Sequence, residues 1–203
     1  MTTPIRLLKS LAVRLAPKPV KVDDRRGKRF VAVIECILNQ NARDAGAAQF
    51  PALNFQLLRL CHEHDVGIVQ MPCPEIAALG WRRVRPAGRT IRQALDTEDG
   101  RRRCAELAGA IANRIEAYVA QGYQPLAILG GNPLSPGCAV HGSGGRLAPE
   151  SGVFMRELHS ELSTRQLTIP FRGIRDHDPE LLAQDLLWFR ALASKTQGPE
   201  PQR

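Results

Sequence analysis

Residues 29–35 read Arg-Phe-Val-Ala-Val-Ile-Glu, and Cys36 follows at once. A short apolar run rich in valine and isoleucine, closed by a charged residue, is the pattern of a strand buried on both faces. The same beat recurs downstream. Ala52–His64 spaces Leu53, Leu57, Leu60 and Cys61 as one helical face, and Val66–Gln70 (VGIVQ) is a second strand. Arg101–Gln121 is a helix burying Leu107, Ile111 and Ile115, and Pro125–Leu129 (PLAIL) is a third strand. Ser151–Leu162 is a helix, Leu167–Phe171 a fourth strand, and Pro179–Leu192 a last helix opened by its proline. Strands alternating with helices predict an α/β fold: a parallel sheet of four or more strands with helices on both faces.

Outside that body the composition changes. The 203 residues carry 28 Lys and Arg against 20 Asp and Glu, a formal charge of +8. Residues 1–29 hold nine of the bases and only two acids, so an excess of +7 sits there and the remainder is nearly neutral. Thr3-Pro4 reads as a helix start, with Ile5, Leu8, Leu11 and Leu15 at helical spacing until Pro17 and Pro19. The expected organisation is a basic amphipathic arm and linker over 1–29, an α/β domain over 30–194 and a disordered tail over 195–203. An arm of this kind suits RNA, a membrane surface, or docking on the body or on a second subunit. No apolar run is long enough for a spanning helix, and Arg6, Lys9 and Arg14 interrupt any secretory core, so the cytoplasm is the expected location. Trp81-Arg-Arg-Val-Arg85 and Arg101-Arg-Arg103 read as solvated basic spots.

Five cysteines, none in a Cys-x-x-Cys pair, exclude a disulfide framework for a chain of this kind. Their positions divide them. Cys61 and Cys104 fall inside helices and read as small buried hydrophobes. Cys36 follows the first strand, Cys73 the second, and Cys138 lies in the glycine-rich loop after the third. Ligands of open parallel sheets bind beyond the carboxyl ends of the strands, so these three thiols converge on one rim. Three thiolates suit a soft metal or an iron–sulfur cluster. Zinc would take a fourth protein ligand, for which His141 is the candidate.

Other chemistry gathers around the same cysteines. Cys36-Ile-Leu-Asn39-Gln-Asn41 brings three amides into a loop, and Asn132 stands in the Gly130-Gly-Asn-Pro lead-in to Cys138. Asn39, Asn41 and Asn132 are thus candidates for holding a planar polar substrate. Glu75, two residues past Cys73, is a candidate general acid or base. Ser135 precedes Cys138 by three residues. Three weaker signals carry nothing: His141-Gly-Ser-Gly-Gly145 is not a nucleophile elbow, Cys61-His-Glu-His64 points in divergent helical directions, and the glycine loop is neither a P-loop nor a dinucleotide fingerprint.

Cys36 with Leu-Asn-Gln-Asn, then Cys73-Pro-Glu75, then Ser135-Pro-Gly-Cys138, in that order, resemble the motifs of the thiouracil desulfidase family over roughly residues 29–173. The resemblance implies a cytoplasmic, Rossmann-like protein whose Cys36, Cys73 and Cys138 hold a [4Fe-4S] cluster with one iron free of protein ligands. It further implies a thiolated nucleobase, nucleoside or similar thioamide as substrate, with Glu75 and Ser135 in acid–base or orienting roles. The third motif departs from the family's usual Ser-Pro-Ser-Cys-Gly at Gly137 and Ala139, which marks a divergent branch. The alternative is an interaction module in which zinc or a cluster is structural and the arm does the binding.

Overall fold

The structure is a computed structural model that describes residues 24–142 and 147–195. Four strands, β1 (Arg29–Ile34), β2 (Val66–Met71), β3 (Gln124–Gly130) and β4 (Phe171–Gly173), form one all-parallel sheet in the order β2-β1-β3-β4. β1 is the axis of the sheet and every one of its residues is buried. It pairs with β2 from Arg29↔Val66 to Ile34↔Met71, and with β3 from Arg29↔Gln124 to Val33↔Leu129. The expected α/β, Rossmann-like architecture is the observed one.

The helices are α1 (Glu35–Leu38), α2 (Phe55–Glu63), α3 (Pro74–Leu79), α4 (Ile91–Leu95), α5 (Glu98–Ala120), α6 (Val153–Thr164) and α7 (Pro179–Lys195). α5 packs along α6, and α2 packs against α7. Together they bury Ile111, Ile115, Leu158 and Phe154 on one side, and Leu57, Leu60 and Phe189 on the other. Arg29, 8% exposed, donates to the carbonyls of Ala193 at 2.7 Å and of His64, tying the ends of α7 and α2 to the start of β1.

Two local readings change. The fourth strand pairs over Phe171–Gly173, further on than the expected Leu167–Phe171. Pro170 has no N–H to give a ladder; its carbonyl accepts from Ile128 at 2.9 Å, and pairing begins just after it. The segment after Cys36, expected as a loop, is helical: α1 runs into a 3-10 turn over Gln40–Ala42. α1, α3 and α4 span four to six residues, too few for periodicity to betray them. The amphipathic arm over residues 5–15 and the tail from 196 lie outside the described residues. Among the described residues no helix is long and apolar enough to cross a membrane.

Candidate functional site

The strand order reverses between β1 and β3, so a crevice opens at their carboxyl ends. A cavity of about 330 Å³ lies there, and Cys36, Cys73 and Cys138 all line it, with Glu75, Ser135 and Asn132. Each thiol arrives by its own device. Cys36 sits in α1, which begins directly at the end of β1. Cys73 stands at the N-cap of α3, and its backbone N–H donates to the Glu35 carboxylate at 2.8 Å, lashing the β2 exit to the β1 exit. Cys138 is carried by a loop that closes back on the sheet, where Gly131 N–H donates to its carbonyl at 2.9 Å.

That loop also caps α6. The helix has no side-chain cap, and its first amides, Val153 and Phe154, donate instead to the carbonyls of Pro136 and Gly137 at 3.2 and 3.1 Å. The close fit demands missing side chains. A Cβ on Gly131 would lie 2.8 Å from the Cys138 sulfur, and one on Gly137 would lie 2.6 Å from Pro74. Any side chain at position 137 would therefore have to displace Pro74, next to Cys73.

The thiols do not share one environment. Cys73 and Cys138 are buried and Cys36 is half-buried. A hydrogen bond from the Cys138 thiol and the facing Arg43 guanidinium together hold the Cys36 thiol below its ordinary pKa, against the opposing effect of burial. Cys138 moves the opposite way, raised by that same partner and by burial. Ser135 Oγ lies 2.9 Å from the Cys138 sulfur. Burial pushes the Cys73 thiol up to about 11.

Two ion pairs stand behind the thiols. Arg43 meets Asp176 through both carboxylate oxygens at 2.8 and 2.7 Å, with the side chains 6% and 0% exposed. Asp176 also accepts from Asn132 at 3.1 Å and from Gln40 at 3.4 Å, and Gln40 holds the Cys36 carbonyl at 2.8 Å. One buried carboxylate thereby fixes the β1 exit, the β3 exit and the cation facing Cys36. On the other wall Arg83 pairs with Glu75 at 3.2 Å and donates to the carbonyls of Ala42 at 2.6 Å and Trp81 at 3.0 Å. Arg83 does so from a left-handed backbone, φ 46°, a conformation worth about 1–3 kcal/mol of strain in a non-glycine residue.

Of the residues singled out in the sequence, the structure gathers Cys36, Cys73, Cys138, Glu75, Ser135 and Asn132 on the cavity. It does not gather Asn39 and Asn41. Both are exposed, and the Asn39 side chain accepts from Asn41, capping the 3-10 turn. The buried amide of that trio is Gln40. His141 also lies off the cavity, with its ring held 2.8 Å from the Pro133 carbonyl, so it does not stand as a fourth ligand. The histidine on the cavity is His177, bonded to Asn132 at 2.9 Å. Arg83, read as part of a solvated basic spot, is 3% exposed and lines the cavity. Arg43 and Asp176, 133 residues apart, gave no signal, since only the fold makes them neighbours. Among the described residues no group of three or more His, Cys, Asp or Glu is gathered as a site for a metal ion.

The fold and the cavity define an α/β protein with three thiols lining a crevice at its switch point. The chain is 30% identical over 144 residues to the uncharacterized protein MJ0003 of Methanocaldococcus jannaschii, a match covering 71% of this chain and 84% of the archaeal protein. The chain belongs to the family of that protein. No protein-family model matches it, and no solved structure does.

Proposed function

We propose that this protein holds a [4Fe-4S] cluster on Cys36, Cys73 and Cys138 and removes sulfur from a thiolated nucleobase, nucleoside or similar thioamide. The observation that carries the reading is the meeting of three thiols from three separate strand exits on one cavity that also holds a carboxylate, a hydroxyl and an amide. What supports the group is the donor chemistry: cysteine thiolates are the usual ligands of such clusters, and the facing Arg43 would offset their negative charge. When bound, the cluster would supply a thiophilic iron without a protein ligand, a Lewis acid toward a C=S sulfur.

The chain's own groups do the rest. Asn132, with one end on Asp176 and the other on His177, presents a fixed amide to a planar base. Ser135 offers a hydroxyl at the Cys138 sulfur. Glu75, held by Arg83, takes one proton from water as the water oxygen adds to the carbon bearing sulfur and returns it to that sulfur; the second proton leaves the new hydroxyl for the sulfur by the same carboxylate as the C=O forms and the C–S bond breaks. The balance is C=S plus H₂O to C=O plus H₂S, with no net redox change.

The test is anaerobic reconstitution with iron and sulfide assay, an absorbance spectrum, and sulfide release from 2-thiouracil or a thiolated nucleoside. Four irons per chain with turnover is the expected result. A fully loaded protein that releases no sulfide from any thiolated base or nucleoside defeats the desulfidase half and leaves the cluster. A protein that assembles no cluster defeats both.

A further inference from the structure

Between α3 and α4 the chain runs Gly80-Trp-Arg-Arg-Val-Arg-Pro-Ala-Gly-Arg-Thr90, and no acidic residue stands between Glu75 and Asp96. Arg83 alone turns inward. Around it Trp81 is 62% exposed and Val84 71%, and every residue from 84 to 90 is exposed. Among the described residues no ion pair involves Arg82, Arg85 or Arg89. Arg85 closes the turn by donating to the carbonyls of Arg83 and Arg89 at 3.0 and 2.9 Å, which leaves its charge uncompensated. Arg83 and Ile91 both line the thiol cavity, so the ribbon between them borders that cavity.

We infer that Trp81, Arg82 and Arg89 form a binding surface for single-stranded nucleic acid at the edge of the cavity. An exposed indole beside uncompensated guanidiniums is the pairing that single strands use: the ring stacks a base and the cations meet phosphates. A duplex keeps its bases stacked inside and offers the indole nothing comparable. Trp81 and Val84 are too few to anchor the chain to lipid, which takes a broad apolar helix face. The binding does not depend on the cluster. Only the further step, presentation of one base of the strand to the cavity, rests on the desulfurisation reading.

The experiment uses the full-length protein without cluster and a fluorescein-labelled ten-residue oligouridylate, followed by anisotropy over a salt series. Binding is expected to weaken with a log–log slope of roughly −1 to −2, as for two to three phosphate contacts on a single strand. Trp81→Ala should weaken it about tenfold and Trp81→Phe much less. Arg82→Ala/Arg89→Ala should weaken it and flatten the salt slope by roughly 1.4, two contacts at about 0.7 each. An oligodeoxythymidylate should bind comparably and an RNA duplex of equal length more weakly. Melting temperatures of these exposed-site variants should match the parent.

Absence of binding at low salt overturns the proposal. So does binding that survives these substitutions, which would assign it to the basic segment over residues 1–29. Equal binding of polyaspartate would reduce the surface to charge alone, and ribbon-dependent binding only to anionic phosphatidylglycerol vesicles would make it a lipid site. Each of these overturns the assignment without touching sulfide release from a free thiolated base, so the two readings fail separately.

Discussion

Cys104 and Cys138 are buried almost equally, at 1% and 4% exposure, yet their surroundings have little in common. Cys104 sits on α5 with the charges of Glu157, Asp96 and Arg156 acting on it but, among the described residues, no hydrogen bond to its sulfur, and Cys61 lies on the buried face of α2. Burial raises both helix thiols to about 12, keeping them protonated and inert. Cys138 faces Cys36, Ser135 and a cavity, and Cys36 is moved toward the thiolate by that partner and by Arg43. Depth therefore does not separate the two kinds of cysteine. What separates them is whether a polar group hydrogen-bonds the sulfur, and in a parallel sheet such groups collect where strands end.

The comparison breaks most completely at the ligands. Cys36→Ser, Cys73→Ser and Cys138→Ser should each abolish cluster assembly, measured as iron per chain after anaerobic reconstitution, because a site of three thiolates has none to spare. Substantial iron in any one of these variants would remove that cysteine from the site. The next effect in size is on the groups behind the thiols. Asp176→Asn leaves the Arg43 charge buried without its counter-charge, a loss of about 3–5 kcal/mol. For a domain of this size the melting temperature should fall by roughly 6–20 °C. A variant melting with the parent would mean that the pair is not holding the strand exits together.

Glu75→Gln sharpens the contrast at the level of turnover. It keeps the size of the side chain and removes its charge, so sulfide release per assembled cluster should drop by about a hundredfold, and the melting temperature should fall as for Asp176→Asn because Arg83 loses its counter-charge. A variant with parental turnover would reassign Glu75 to its pairing with Arg83.

The sheet was legible because β1 is buried at every residue and β3 from Leu126 to Gly130, which leaves continuous apolar runs, and RFVAVI cannot be read as anything amphipathic. β2, at the sheet edge, buries only Val66, Val69 and Met71 and was read from its apolar residues alone. The rim of thiols was legible for a related reason: strand ends fix where the next residue goes. The Arg43–Asp176 pair was not. A buried arginine looks like a surface one in sequence until the fold brings its carboxylate, and Asp176 arrives only after β4. Arg83 misled in the same way, sitting among exposed arginines while facing inward. The amides of the first motif show the limit most sharply. Neighbours along a helical turn face different directions, so Asn39 and Asn41 went to solvent and Gln40 to the interior.

The smallest expected effect belongs to the helix cysteines. Cys61→Ala and Cys104→Ala each delete one sulfur from an apolar contact and leave no polar group unsatisfied. The cost should be about 1 kcal/mol apiece, or roughly 2–4 °C in melting temperature, with iron content and spectrum unchanged. The two sites lie in different helices, so the double variant should add the two costs to within about 0.5 kcal/mol. Alkylation of the cluster-free protein offers an independent view of the same division. Cys36, the only one of the five that is not buried, should react first, and Cys61 and Cys104 only on unfolding. If either helix variant lost iron as completely as a strand-exit variant does, the sorting by polar company would fail and the cluster would have to draw on thiols that the fold keeps in its core.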